Sequence, residues 1–262
     1  MNSYSNYKIE MISSKYITQK IFDNLHKKRA LQIIKYNRKI QIKLEKDIND
    51  FKESSELYSS IEIEIIPAKN KLGKFINIFN KQKYESYYHI YFNDSKEEMK
   101  KYSIDKNDNI KKIKIIIDYK IKSFCKLFYY CDCIQSIYFK KFFRNNIHNM
   151  SYMFFGCKSL TELNLSNFIT NEVVDMNNMF ARCISLKELN LYNFDTHNVT
   201  DMSFMFDGCS SLVKLNLYSF NTNNARNMSY MFSNCKCLKD LDITNFDLSN
   251  VTDKSGMFLG WS

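Results

Sequence analysis

Eight cysteines and four histidines carry most of the latent chemistry of this 262-residue chain. Five of the cysteines, Cys131, Cys157, Cys183, Cys209 and Cys235, follow one another at intervals of 26 residues. Thiols can pair as disulfides, hold a metal or attack as nucleophiles, so the neighbouring residues must arbitrate. Stacked at the ~5 Å spacing of adjacent strands, a ladder of thiols does not offer disulfide geometry at every step. Cys131-x-Cys133 and Cys235-x-Cys237 are closer than the roughly two-to-four-residue separation of zinc ligands, and no histidine cluster accompanies them. His26, His89, His148 and His197 lie in different segments, and no Ser/His/Asp or Cys/His arrangement is apparent. Glycines at 73, 156, 208, 256 and 260 are too scattered for a phosphate loop. The expectation is a protein that is not an enzyme and has no metal site or cofactor. Its ladder cysteines then serve as small buried hydrophobes, with metal binding as the alternative.

The elements that position the ladder follow from the register around it. Three residues after each cysteine stands Ile134, Leu160, Leu186, Leu212 or Leu238, and then come Ile137, Leu163, Leu189, Leu215 and Leu241. Phe139, Leu165, Leu191, Leu217 and Ile243 follow, and after them Phe142, Phe168, Phe194, Phe220 and Phe246. Each copy closes on Met-x-x-Met-Phe, as in Met176/Met179/Phe180 and Met202/Met205/Phe206; the last has Lys254 before Met257 and Phe258. Repeats of this length signify stacked coils, none of which can bury its apolar stripe alone. Alternation in Leu-x-Leu predicts a short strand with Leu163 and Leu165 inward and Asn164 outward. The i, i+3, i+4 spacing of Met-x-x-Met-Phe predicts one turn of helix on the opposite wall. Asp240 and Asp242, which in isolation look like a metal-binding pair, fall on two outward strand positions.

The segments "CKSLTELNLSNFITNEVVDMNNMF" (157–180) and "CISLKELNLYNFDTHNVTDMSFMF" (183–206) resemble the BspA-like 26-residue leucine-rich repeat family over residues 131–260. Arg144 and Leu248 depart from its Thr, Ala225 from its Val and Lys254 from its Met. The resemblance implies an adhesion or protein-binding role, and family members occur on bacterial cell surfaces and in protists. Shifting back one period places Phe124, Leu127 and Phe128 on the Met/Met/Phe positions, with Ile113 and Ile116 beneath Phe139 and Phe142. The fold expected is therefore α+β. A leucine-rich-repeat solenoid of about six coils over 110–262, with parallel short strands and helical turns on the opposite wall, follows an N-terminal helical and small β capping region over 1–109.

Composition is that of a globular protein, with 45% hydrophobic and 25% charged residues. No apolar stretch approaches the ~18 residues of a membrane span. The absence of an h-region near the N-terminus gives a cytoplasmic expectation, with the cell surface as alternative. Residues 157–262 hold 8 Lys and Arg against 11 Asp and Glu, which leaves 30 against 17 in residues 1–156. Such a basic half raises nucleic acid or an acidic membrane surface as a partner, but lysines dispersed among acids favour an ordinary solvated surface. Residues 16–44 resemble an F-box in their helical pattern and lack its Leu-Pro start and later Trp; that reading implies a substrate adaptor for ubiquitin ligation. Ile61, Ile63 and Ile65 alternate with Glu62 and Glu64 as a strand, and Phe75–Phe79, Tyr87–Phe92 and Ile113–Ile117 are expected to complete a small sheet, with a short helix over Lys96–Lys101.

The function expected is recognition of a protein partner through the outward strand face. Its residues are Tyr138, Glu162, Asn164, Glu188, Asn190, Tyr192, Lys214, Asn216, Tyr218, Asp240 and Asp242, preceded by Ser136. The tyrosines are the expected anchors, since aromatic side chains dominate interface energetics. Trp261 stands where the next ladder cysteine would fall, which makes the last coil a candidate for end-on self-association.

Overall fold

The computed structural model describes residues 14–17, 20, 37–44, 60–118, 120–142 and 146–261. The chain forms two compact units, Met1–Ser59 and Ser60–Ser262. In the first, helix α1 (Arg38–Lys43) begins at Asn37, whose side chain accepts the Ile40 amide at 3.2 Å. Ile40 and Leu44, four residues apart, share its buried face. Most of the F-box-like segment 16–44 lies outside the described residues, as do His26 and Arg144. The second unit takes in residues 60–109, which the sequence assigned to a capping region.

That unit opens with strands β1 (Ile61–Pro67) and β2 (Gly73–Lys74), helix α2 (Lys81–Tyr84) and a single 3-10 turn over Glu85–Tyr87. It continues with β3 (Tyr88–Phe92), β4 (Ser103–Ile104), β5 (Ile113–Ile117) and β6 (Ile134–Lys141), then the three-residue strands β7 (Glu162–Asn164), β8 (Glu188–Asn190) and β9 (Lys214–Asn216). A five-stranded sheet has the order β3-β5-β1-β6-β7, antiparallel from β3 to β6 and parallel between β6 and β7. Strands β8 and β9 form a separate parallel pair, and β2 and β4 an antiparallel one.

This corrects the expected fold in three places. The Ile113–Ile117 segment does not lie under Phe139 and Phe142. Strand β1 comes between it and β6, with Ile63 opposite Ile115 on one side and Phe139 on the other. Ile61, Ile63 and Ile65 are fully buried there, as the central strand of a mixed sheet requires. Residues 75–78 and 98–101 are neither strand nor helix.

The third correction concerns the Met-x-x-Met-Phe wall, which is not helical. In the middle coil the amides of Met205, Asp207 and Cys209 bond to the carbonyls of Met202, Phe204 and Phe206, three residues back. The intervening amides of Met202, Phe204, Phe206 and Gly208 leave the coil and bond to Asn227, Ser229, Met231 and Ser233 at 2.8–2.9 Å. An α-helix needs every amide for its fourth preceding carbonyl, and here none is left. Left-handed residues enforce the alternation. Phe204 has φ 56° and Gly208 φ 69°, and the same two columns hold Tyr152 and Gly156, Asn178 and Arg182, Tyr230 and Asn234. The i, i+3, i+4 spacing thus describes consecutive tight turns that still send Met202, Met205 and Phe206 inward, all fully buried. A helical leucine-rich solenoid is therefore not what forms. Among the described residues, α1, α2 and the helical residues 15–17 and 20 all lie outside this wall.

Successive coils nonetheless sit in register. Parallel bridges link Ser123, Asn149, Asp175, Asp201, Asn227 and Asp253 in turn. Phe128, Phe154, Phe180, Phe206, Phe232 and Phe258 stack face to face with centroids 5.6 Å apart at every step. A second column runs from Phe142 through Phe168, Phe194 and Phe220 to Phe246. No helix among the described residues is long and apolar enough to cross a membrane.

Candidate functional site

The ladder cysteines are consumed by the stack. The thiols of Cys157, Cys183, Cys209 and Cys235 donate to the carbonyls of Phe128, Phe154, Phe180 and Phe206 at 3.0–3.1 Å, one coil back. All are buried and none is in a disulfide. Burial pushes the Cys157, Cys183 and Cys209 thiols well up and Cys235 to about 12, so the thiolate that would attack or ligate is withheld. Among the described residues no three His, Cys, Asp or Glu side chains come together as a metal site.

The described histidines are likewise apart. His89 lies between Glu98 at 3.1 Å and Asp118 at 3.4 Å on the sheet edge. His148 meets the Glu172 carbonyl, and His197 meets Asp195 at 2.6 Å.

The outward strand positions do line one wall, because parallel pairing of β6 with β7 and of β8 with β9 keeps equivalent residues side by side. Glu162, Asn164, Glu188, Asn190, Lys214, Asn216, Asp240 and Asp242 are exposed there. Ser136 is not; it is buried opposite Ile66, where β1 covers the edge of β6. Asp240 and Asp242 lie in the fifth copy, which forms no strand.

The wall divides into residues already engaged and residues left over. Tyr138 is half-buried and donates to Glu162 at 2.5 Å, and this bond, then burial, raises its hydroxyl above the ordinary value. Lys140 sits 4.9 Å above its ring and pairs with Glu64 at 3.3 Å. Glu188 pairs with Lys214 at 2.7 Å, in the open, where such a pair contributes about 0–1 kcal/mol. Asn190, Asn216 and Asp242 each accept the amide two residues on, at 2.9–3.2 Å, and Asn164 takes the Ser166 amide in the same way. One side-chain oxygen of each is thus engaged in an Asx turn that directs the chain away from the wall. Thr244 holds Asp242 through its amide and hydroxyl and keeps that carboxyl below the usual range.

Tyr192 and Tyr218 remain, 55% and 86% exposed. They make no ring pair with each other among the described residues, although they occupy the same position in neighbouring coils.

Sequence reasoning missed an aromatic cluster on the wall of turns. Tyr129 stacks on Phe155 at 5.2 Å and meets Tyr130 and Tyr152, with Lys126 over Tyr129 and Arg182 over Phe155. The adjacency Phe128-Tyr129-Tyr130 was visible, but its meeting with Phe155 depends on the stacking of coils.

The family model described as "Mycoplasma protein of unknown function, DUF285" matches residues 97–189, 120–240 and 184–262, overlapping windows that run through the repeats. No curated protein and no solved structure matches the chain. With residues 97–262 covered, well over half its length, the chain belongs to the DUF285 family of Mycoplasma proteins of unknown function.

Proposed function

We propose that the chain is a non-enzymatic module that binds a protein partner through the strand wall, with Tyr192 and Tyr218 as its anchors. The observation that supports this reading is the contrast within the wall. Tyr138 is tied to Glu162, and the Asn residues are tied to their own turns, whereas two neighbouring tyrosines expose their rings without stacking. Exposed aromatic side chains lose little entropy on binding and bury large areas, which makes them the usual hot spots of interfaces. The charged residues around them, Glu188, Lys214 and Asp240, would supply orientation more than affinity.

The test is affinity capture from the native cells with wild type, Tyr192→Ala/Tyr218→Ala and the surface control Lys187→Ala side by side. The double variant is expected to lose a partner that both others retain, with a melting temperature within a few degrees of wild type, as exposed substitutions usually leave it. Capture that survives the double change and disappears on removal of residues 1–60 would assign recognition to the first unit instead.

A further inference from the structure

Residues 65–84 contain five lysines, Lys69, Lys71, Lys74, Lys81 and Lys83, and neither Asp nor Glu. Two apolar side chains within this stretch face solvent: Leu72 is 48% and Phe79 78% exposed. Phe75 and Ile76 between them are buried in the core, so the stretch is well folded and turns these two outward. Leu72 follows the left-handed Asn70 (φ 59°) by two residues, and Phe79 directly precedes the left-handed Asn80 (φ 45°). The chain around both turns is fastened to one segment, residues 127–133. The Ala68 amide bonds to the Cys133 carbonyl at 2.8 Å, and the Cys133 thiol donates to Lys74 at 3.1 Å. Asn77 donates its amide to Leu127 and its side chain to Tyr129, both at 2.7 Å. Tyr130, next along that segment, is 45% exposed.

Two of these five charges meet a carboxylate and three do not. Lys71 reaches Asp132 at 3.8 Å and Lys81 reaches Glu85 at 3.4 Å. Lys69, Lys74 and Lys83 have no carboxylate partner among the described residues, and Lys83 lies over the Tyr84 ring at 5.0 Å.

From this we infer a peripheral docking surface for an anionic lipid bilayer, in which Leu72 and Phe79 enter the headgroup boundary and the lysines meet the phosphates. Apolar tips ringed by cations are the pattern that binds such interfaces, where burial and charge attraction add. Tyrosine suits the same boundary, with its ring in the apolar layer and its hydroxyl in water. Single-stranded nucleic acid is disfavoured because Leu72 has no ring face for a base to stack on. A protein interface is disfavoured because lysine is depleted there.

The experiment uses the full chain and sedimentation with vesicles of phosphatidylcholine, with and without phosphatidylglycerol. Wild type is expected to bind the anionic vesicles and not the neutral ones. Lys69→Gln/Lys74→Gln/Lys83→Gln should weaken partitioning on the order of a hundredfold, at about fivefold per lysine. Leu72→Ser/Phe79→Ser should weaken it about tenfold or more, and circular dichroism should show both variants folded. Phe79→Trp should shift its emission to the blue and be quenched by brominated lipid, against the constant signal of Trp261. Equal binding by wild type and the lysine variant, an unquenched Phe79→Trp, or displacement from vesicles by polyuridylate at lower concentration than lipid would each overturn the inference.

Discussion

The ring of Tyr130 lies over Gly156, one coil further along: a Cβ on Gly156 would stand 2.7 Å from the ring. Tyr230 bears on Gly256 in the same way. Gly156 is also left-handed, at φ +70°, so Gly156→Ala must both displace an aromatic ring and hold an unfavourable backbone. Gly208 has nearly the same φ, +69°, but its nearest neighbour would lie at an ordinary 3.5 Å. Gly208→Ala should cost about 1–2 kcal/mol from the backbone alone, and Gly156→Ala about 2–4 kcal/mol once overpacking is added. Urea midpoints of the two variants check the order, and equal midpoints would show that the Tyr130 ring moves aside freely.

Phe206 is fully buried between Phe180 and Phe232, with centroids 5.6 Å away on each side. Removing the ring opens a cavity that rigid neighbours on two coils cannot close, so Phe206→Ala should cost roughly 3–5 kcal/mol. Phe258, half-buried and stacked on Phe232 and Trp261, should tolerate Ala at a smaller cost. Thermal unfolding of the two variants in parallel measures the difference, and a larger loss at Phe258 would contradict the packing described.

The cysteine ladder gives a dependence on pH with a definite sign. Burial raises the Cys235 thiol from an ordinary 9.0 to about 12, and the fully buried thiols rise too. The unfolded chain can ionise its thiols above pH 9, while the folded chain keeps them protonated. Their contribution is complete below pH 9 and lost as pH rises from 9 towards 12. Lysine and tyrosine titrate in the same window, so the informative quantity is the difference between wild type and Cys235→Ala. The variant should lose stability less steeply with pH, and parallel slopes would reject the assignment. In the native protein at neutral pH a thiol reagent should label the exposed Cys237 and spare Cys183 until unfolding.

Serine in the ladder reverses an expectation that burial alone suggests. A buried hydroxyl without a partner would make Cys183→Ser worse than Cys183→Ala. The Phe154 carbonyl already accepts the Cys183 thiol at 3.1 Å and is placed to accept a hydroxyl. Cys183→Ser should therefore match Cys183→Ala to within about 1 kcal/mol. Denaturation of the two variants decides, and a serine penalty well beyond that would mean the carbonyl is out of reach.

The strand wall was legible because a period of two has a single structural meaning: Glu188 and Asn190 face out and Leu189 faces in. The wall of turns was misread because i, i+3, i+4 has two meanings, and both send Met202, Met205 and Phe206 inward. Only backbone handedness separates them. The left-handed column holds Lys126, Tyr152, Asn178, Phe204, Tyr230 and Gly256, residue types that mostly do not advertise a positive φ. The insertion of β1 between β5 and β6 was hidden for a different reason. Ile61–Ile65 pairs with partners about fifty and seventy residues away, and alternation reveals a strand without naming its neighbours. At the candidate site, the exposure of Tyr192 and Tyr218 followed from their position. The engagement of Tyr138 by Glu162 needed the coils to be placed, because the two residues are a coil apart.

Thr196 shows what joins one coil to the next at the corner after the strand. Its buried hydroxyl donates to the Asn221 carbonyl at 2.9 Å and accepts the Asn221 amide at 2.8 Å. Thr170 holds Asp195, and Thr222 holds Asp247, by the same pair of bonds. One hydroxyl thus satisfies a donor and an acceptor that no strand ladder serves at this corner. Thr196→Val keeps the shape and removes both bonds, leaving the backbone of Asn221 to find water at the edge of the stack. The expected loss is about 1–3 kcal/mol. Thr196→Ser keeps the bonds and gives up one methyl, for about 0.8 kcal/mol. Valine should therefore be the worse replacement although it is the more hydrophobic, and amide exchange at Asn221 should quicken in the valine variant alone. If valine equals or exceeds threonine in stability, the corner is held by packing and the hydroxyl column is incidental.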